Sequence, residues 1–176
     1  NEAYYIPVAH KNVKNLSKEL VIKKVKKILE DTSIKKIGQN IKYDLMIFQK
    51  YGINIEPIED TMLLSYTLDA GNNRHNMDVL SELHLNHKTI SYKEVVGSGK
   101  KQLNFSEVNL KEATKYAAED ADVTLRLYNI LKSRVDDEKL NKIYEVFEKP
   151  MIKLLSKIEM NGIKIDDAYL KKLSKK

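Results

Sequence analysis

At 176 residues the chain is one ordinary domain long, or one domain with part of another, and it is large enough to bury a real core. Its 42% hydrophobic and 32% charged content is globular in character, and no apolar run approaches the length of a membrane span. The absence of cysteine excludes disulfides and thiolate metal sites, and the opening "NEAYYIPVAH" lacks the basic start and apolar stretch of a secretory signal. A formal charge of +6 attracts polyanions in general, but among 31 basic residues only Arg74, Arg126 and Arg134 are arginines. Bidentate contacts to phosphates or bases are therefore scarce, which singles out Arg74.

Residues 3–9, "AYYIPVA", read as a strand whose Pro7 argues against a fully paired central place. From Ser17 a helix follows, with Val21, Val25, Ile28 and Leu29 at helical spacing and lysines on the other side. "IKKIG" at 34–38 reads as a short strand ended by glycine. Asn40 is then expected to cap a helix to about Lys50, with Ile41, Leu45 and Phe48 inward and Gly52 just past its end. "INIEPI" gives another short strand before Asp60 caps the helix "TMLLSYTL". Strand, helix, strand, helix in this order predicts an α/β layer arrangement rather than a helical bundle.

"DAGNNRHN" at 69–76 is a loop by composition, and a short helix is expected over 77–84. Residues 86–104 read as irregular, with "GSGK" at 97–100 as a mobile turn. Asn109 and Glu112 have the spacing of a capping box and open a long helix. A further helix covers roughly 136–160, where Pro150 requires a kink or a break. "NGIKID" at 161–166 is a turn with a short extended piece, and a last helix begins near Asp167.

Spacing excludes several chemistries. "GSGK" lacks the glycine pattern and the hydroxyl of a phosphate-binding loop, and His10, His75, His84 and His87 form no metal-ligand pattern. Carboxylates remain. In "KYAAEDADVTL", Tyr116 and Asp120 are four residues apart and share a helix face, while Ala113, Ala117 and Ala121 make a small-residue stripe suited to close packing on a sheet. Asp44 lies near the start of a helix just beyond a strand, where open α/β sheets place polar ligands. Carboxylates from two such elements converge well on hard divalent cations. The alternative makes Asp44 a first-turn residue favoured by the helix dipole and Asp120 a solvated helix residue. Glu119 and Asp122 are rotated away from the Tyr116–Asp120 face.

The segments "YIPVAH", "IGQNIKYDL", "EDTMLLSYTL", "RHNMDVLSE", "HKTISYKEV", "YAAEDADVTL" and "IEMNGIKID" together resemble the proofreading 3′–5′ exonuclease domain of family A bacterial DNA polymerases. That resemblance implies a ribonuclease H-like 3′–5′ exonuclease fold, α/β with a mixed sheet. Residues 1–135 would form the exonuclease domain, and 136–176 a helical junction toward the polymerase thumb. It implies that Asp44 and Asp120 ligate two Mg²⁺ ions, with Mn²⁺ a possible substitute, and that Tyr116 orients the attacking water. Gln39 and Asn40 would line the site beside the terminal nucleotide, Arg74 would contact single-strand phosphates, and Tyr92 would stack against the frayed base. The implied partners are a single-stranded DNA 3′ end and a polymerase domain of the same parent chain, with no membrane, in a bacterial cytoplasm.

One departure matters. Family members carry Asp-x-Glu on a first strand, and no early strand here bears it. The resemblance implies that this strand was truncated from the chain or lost in the parent, so sheet strands are missing and the isolated chain is expected to be nearly inactive. Two other readings follow: a non-catalytic scaffold for a polymerase domain, and a ribonuclease D-like RNA 3′ exonuclease.

Overall fold

The computed structural model describes residues 2–174. Helix α1 (Lys18–Leu29) leads to strand β1 (Lys36–Gly38), helix α2 (Ile41–Gln49), strand β2 (Ile58–Asp60) and helix α3 (Thr61–Asp69). Helices α4 (Met77–Leu85), α5 (Tyr92–Val96) and the 28-residue α6 (Leu110–Asp137) follow. A last helical stretch comprises α7 (Asn141–Ile143), a π turn (Tyr144–Glu148) and α8 (Lys149–Asn161), and α9 (Asp167–Leu173) closes the described chain. The expected α/β order holds, and the two strands among the described residues are parallel, with Lys36 opposite Ile58 and Gly38 opposite Asp60.

Three local expectations are corrected. Residues 3–9 form no strand, because no neighbouring strand supplies a ladder. The segment is held instead by His10, buried with its ring on the Val108 carbonyl, and by Lys11 N donating to Ser106 O at 2.7 Å. The strand read over "INIEPI" begins only at Ile58. Before it, Glu56 N donates to Leu29 O and Asn54 N to the Glu30 side chain, so this backbone is committed to the end of α1, and Pro57 has no donor to give. Residues 86–104 are not wholly irregular, since Ser91 and Glu94 make a capping box that opens α5.

Packing follows the helical stripes. Val123, Leu127, Leu131 and Val135 recur every four residues along α6 and are fully buried against Leu64 of α3 and Leu80 of α4. Each such side chain contributes roughly 1.5–3 kcal/mol by leaving water. A second core joins Ile41 and Leu45 of α2 with Ile53, Ile55, Ile58 and Ile152 of α8. Gly38 is required between them: a Cβ there would lie 2.8 Å from Ile41 Cβ, so only glycine lets α2 turn so closely back over β1. The α6 helix crosses residue 136 unbroken, and Tyr144 and Ile152 belong to the two cores. Pro150 stands in the first turn of α8, where a missing N–H costs nothing, and the π turn before it shifts the ladder.

Candidate active site

The parallel register decides the site. Because Asp60 pairs with Gly38, both strands end side by side, and the Asp60 carboxylate reaches the backbone just past Gly38. Its Oδ1 accepts from Asn40 N at 3.1 Å and its Oδ2 from Ile41 N at 2.9 Å. The same side chain caps α3, accepting from Met62 N at 2.9 Å and Leu63 N at 3.4 Å. The cap expected from Asn40 is thus made by Asp60. Asn40 itself is left-handed (φ 56°, ψ 48°), a conformation asparagine tolerates, and its side chain makes no cap bond.

One cleft of about 570 Å³ opens at this end of the strands, lined by Asp44, Gln39, Gly38, Asp120, Ala121 and Thr124 among others. Asp44 and Asp120, from separate helices, therefore face a common space. Solvent reaches Asp44, yet burial on its other sides and the nearby Asp60 carboxylate raise its affinity for a proton. Asp120 is pushed up to about 6, first by burial, then by Glu119 and Asp78, while the adjacent Tyr116 hydroxyl works in the other direction. Burial and the Asp120 carboxylate push the Tyr116 phenol well above the ordinary range, so it stays protonated. Asp120 Oδ1 is buried and accepts no hydrogen bond. A buried acceptor without a partner is uncommon and asks for an explanation.

An orphaned carboxylate oxygen on one wall of a cleft that a second carboxylate also lines is the donor chemistry of a hard cation, and in that respect the residues fit Mg²⁺. Among the described residues, no group of three or more His, Cys, Asp or Glu is placed to hold a metal ion, so the pair is an incomplete set.

The remaining residues divide. Gln39 lines the cleft but is committed internally: its amide donates to His75 O at 2.8 Å and its carbonyl accepts from Thr61. Asn40 borders a different depression, toward Met151 and Leu155 of α8. Arg74 is exposed on the 71–76 loop that Gln39 tethers. Tyr92 is 46% exposed, packs edge-on to Tyr116 at 6.1 Å and stacks on Phe105 at 6.3 Å. Phe105 also meets Tyr116 at 5.8 Å. Sequence reading missed it, and the only local signal is the Asn104–Glu107 capping box beside it.

Glu119 and Asp122 lie off the Tyr116–Asp120 face. Glu119 instead pairs with His87 at 3.0 Å and accepts from Ile90 N at 2.7 Å, which ties down the loop before Tyr92. Asp122 pairs with Arg126 at the surface. His84 Nε2 is buried without a partner, apart from the His87–Glu119 pair. In the alanine stripe, Ala113 is buried and Ala117 half-buried, but Ala121 is exposed on the cleft wall.

The architecture is a ribonuclease H-like exonuclease fold, as comparison with solved structures shows. Brucella melitensis NrnC superposes with a TM-score of 0.65 at 21% identity, over 82% of this chain and 68% of that one. The same protein has been solved with bound Mg²⁺ (TM-score 0.63, 22% identity, 78% of this chain and 64% of that one) and bound to pGG (0.63, 19%, 87% and 68%). The model of the 3′–5′ exonuclease family matches residues 1–136, and the chain belongs to that family, in the form carried by family A DNA polymerases. Relatives include DNA polymerase I of Rhizobium leguminosarum, 43% identical over 98% of this chain, and of Borreliella burgdorferi, 39% identical over 97%. The chain spans 18% of the length of each. No helix among the described residues is long and apolar enough to cross a membrane.

Proposed function

We propose that this chain carries the exonuclease site of a DNA polymerase I, removing single nucleotides from single-stranded 3′ ends. The observation that supports it most is the convergence of Asp44 and Asp120 on one cleft, with Asp120 next to Tyr116 and its buried Oδ1 left without a hydrogen-bond partner. Asp44 and Asp120 are the residues that would hold two Mg²⁺ ions, with Mn²⁺ as a substitute, and bound metal supplies charge neutralisation and an activated water for phosphodiester hydrolysis. Tyr116, kept protonated, orients that water by hydrogen bonding and forms no covalent intermediate.

Tyr92, backed by Phe105, offers a face on which the terminal base stacks, and such stacking is worth about 1–3 kcal/mol per base. Arg74 approaches the strand's phosphates, and Gln39 contributes by holding the Arg74 loop at the cleft rim. A mismatched terminus unpairs more readily than a paired one, so it reaches the site more often. Affinity falls with salt because phosphate contacts dominate it.

The polymerase partner is supported by the two relatives above and by an uncovered apolar stripe on the last helices: Phe147, Met151, Leu154, Leu155 and Ile158. In this reading residues 1–135 are the exonuclease unit and 136–176 the junction. The bacterial relatives and the lack of cysteine agree with a bacterial cytoplasmic setting.

A second reading, a free-standing 3′ exonuclease acting on RNA or short oligonucleotides, is favoured by the likeness to NrnC, which has been solved bound to pGG. One experiment separates the readings. Asp44→Ala and Asp120→Ala in the whole protein should abolish trimming of single-stranded DNA 3′ ends while leaving nucleotide incorporation intact. Unchanged trimming would favour a scaffold, and a strong preference of the whole wild-type protein for RNA ends would favour the second reading. The purified 176-residue chain should trim at least about 100-fold more slowly than the whole protein, because two carboxylates position metal poorly.

A further inference from the structure

Among the described residues, the carboxylate that accepts the most hydrogen bonds is not one of the pair in the cleft. Asp60 is 1% exposed and accepts four backbone N–H bonds, two from residues 40–41 and two from residues 62–63. Its two oxygens divide the work: Oδ2 takes only Ile41 N, while Oδ1 takes Asn40, Met62 and Leu63. The backbone of Asp60 is fixed in turn, since its N–H donates to the Tyr144 hydroxyl at 3.1 Å. That hydroxyl donates to Glu59 Oε2 at 2.8 Å, and Lys149 holds the other Glu59 oxygen at 3.0 Å. Tyr144 opens the π turn of the last helical stretch. A continuous chain of buried hydrogen bonds therefore runs from that stretch, through Tyr144 and Asp60, to the first turn of α2, which carries Asp44.

We propose that Asp60 is a positioning residue for Asp44, clamping the start of α2 to the end of β2, and that Tyr144 steadies the clamp. The inference rests on the functional reading above, in which Asp44 serves the reaction. With the N–H groups of Asn40 and Ile41 both held by one fixed carboxylate, the start of α2 is pinned against rolling or sliding, so Asp44, three residues on, presents its oxygens at one place in the cleft. Misplacement of a reacting group by about 1 Å costs about 100-fold in rate.

Asp60→Asn is the discriminating variant. An amide keeps an oxygen for Asn40, Met62 and Leu63 but sets an NH₂ against Ile41 N, so α2 is released on one side while α3 keeps its cap. In the whole protein, kcat for trimming a single-stranded 3′ end should fall about 10- to 100-fold with KM within twofold, and the Mg²⁺ concentration for half-maximal rate should rise. Hydrogen exchange should accelerate over residues 40–45 and not over 62–69. Tyr144→Phe should move kcat the same way by about 3- to 10-fold.

Wild-type kcat and Mg²⁺ requirement in Asp60→Asn would overturn the proposal, as would equal loosening of both helices, which marks a merely structural cap. If Asp60→Asn does not fold, Tyr144→Phe decides, and a wild-type kcat there refutes the clamp. A wild-type protein that trims no 3′ ends would instead sink the functional reading, leaving the exchange pattern to judge the clamp.

Discussion

Asp60 at the end of β2 is buried, Asp120 in the cleft is half-buried with one oxygen withdrawn from water, and they are built in opposite ways. Asp60 spends its oxygens on four amides, which offset part of the burial that still pushes its carboxyl up, and both oxygens are engaged by backbone. Asp120 has a buried oxygen with no donor, and its acidic neighbours make matters worse. A satisfied buried carboxylate holds a fold together, whereas an unsatisfied one is a standing cost that a cation would relieve. The contrast gives the first a structural part and agrees with the ligand-binding part proposed for the second, although both are aspartates near helix starts or on helix faces in the sequence.

The largest effect should come from the satisfied one. Asp60→Ala leaves four amides short of an acceptor and should destabilise the protein by about 3 kcal/mol or more, read from denaturant unfolding. A loss below about 1 kcal/mol would mean that water replaces the carboxylate and the clamp is weaker than its geometry.

Asp120 should behave in reverse. Its folded-state pKa of about 6 lies above the ordinary 3.8, so the folded state holds the proton more tightly than the unfolded chain. Its contribution to stability is then fully present below about pH 4 and is lost as pH rises through about 6. Without added metal and with chelator present, Asp120→Asn should therefore stabilise the protein at pH 7 by on the order of 1 kcal/mol, after allowance for solvent screening. The gain should vanish near pH 4. Equal melting temperatures of the two proteins at pH 7 would show that Asp120 bears no such strain.

The smallest effect belongs to Asp122, two residues away. It is paired with Arg126 on the surface, and exposed i, i+4 pairs contribute a few tenths of a kcal/mol. Asp122→Asn should change stability by less than about 0.5 kcal/mol and leave trimming alone. A substantial loss of activity would redraw the boundary between the cleft and the solvated face of α6.

Short-range physics makes part of this molecule legible from its residues alone. Helices α1 and α2 follow from apolar spacing, α3 from the Asp60 cap before "TMLL", the start of α6 from the Asn109–Glu112 spacing, and the Tyr116–Asp120 face from a separation of four residues. The same reading misjudged residues 3–9 and 53–57, where alternation and β-branching suit a strand but no partner backbone runs alongside. That Asp60 caps α2 as well emerges only on folding, since that bond requires parallel strands in a register that sets Asp60 beside Gly38, and nothing within either segment encodes it. Folding likewise brings Phe105 beneath Tyr92 and Tyr116, and Tyr144 onto Asp60 across 84 residues. Local patterns specify which groups a segment offers. Which of those groups are satisfied, and which are left free for chemistry, depends on neighbours that only folding supplies.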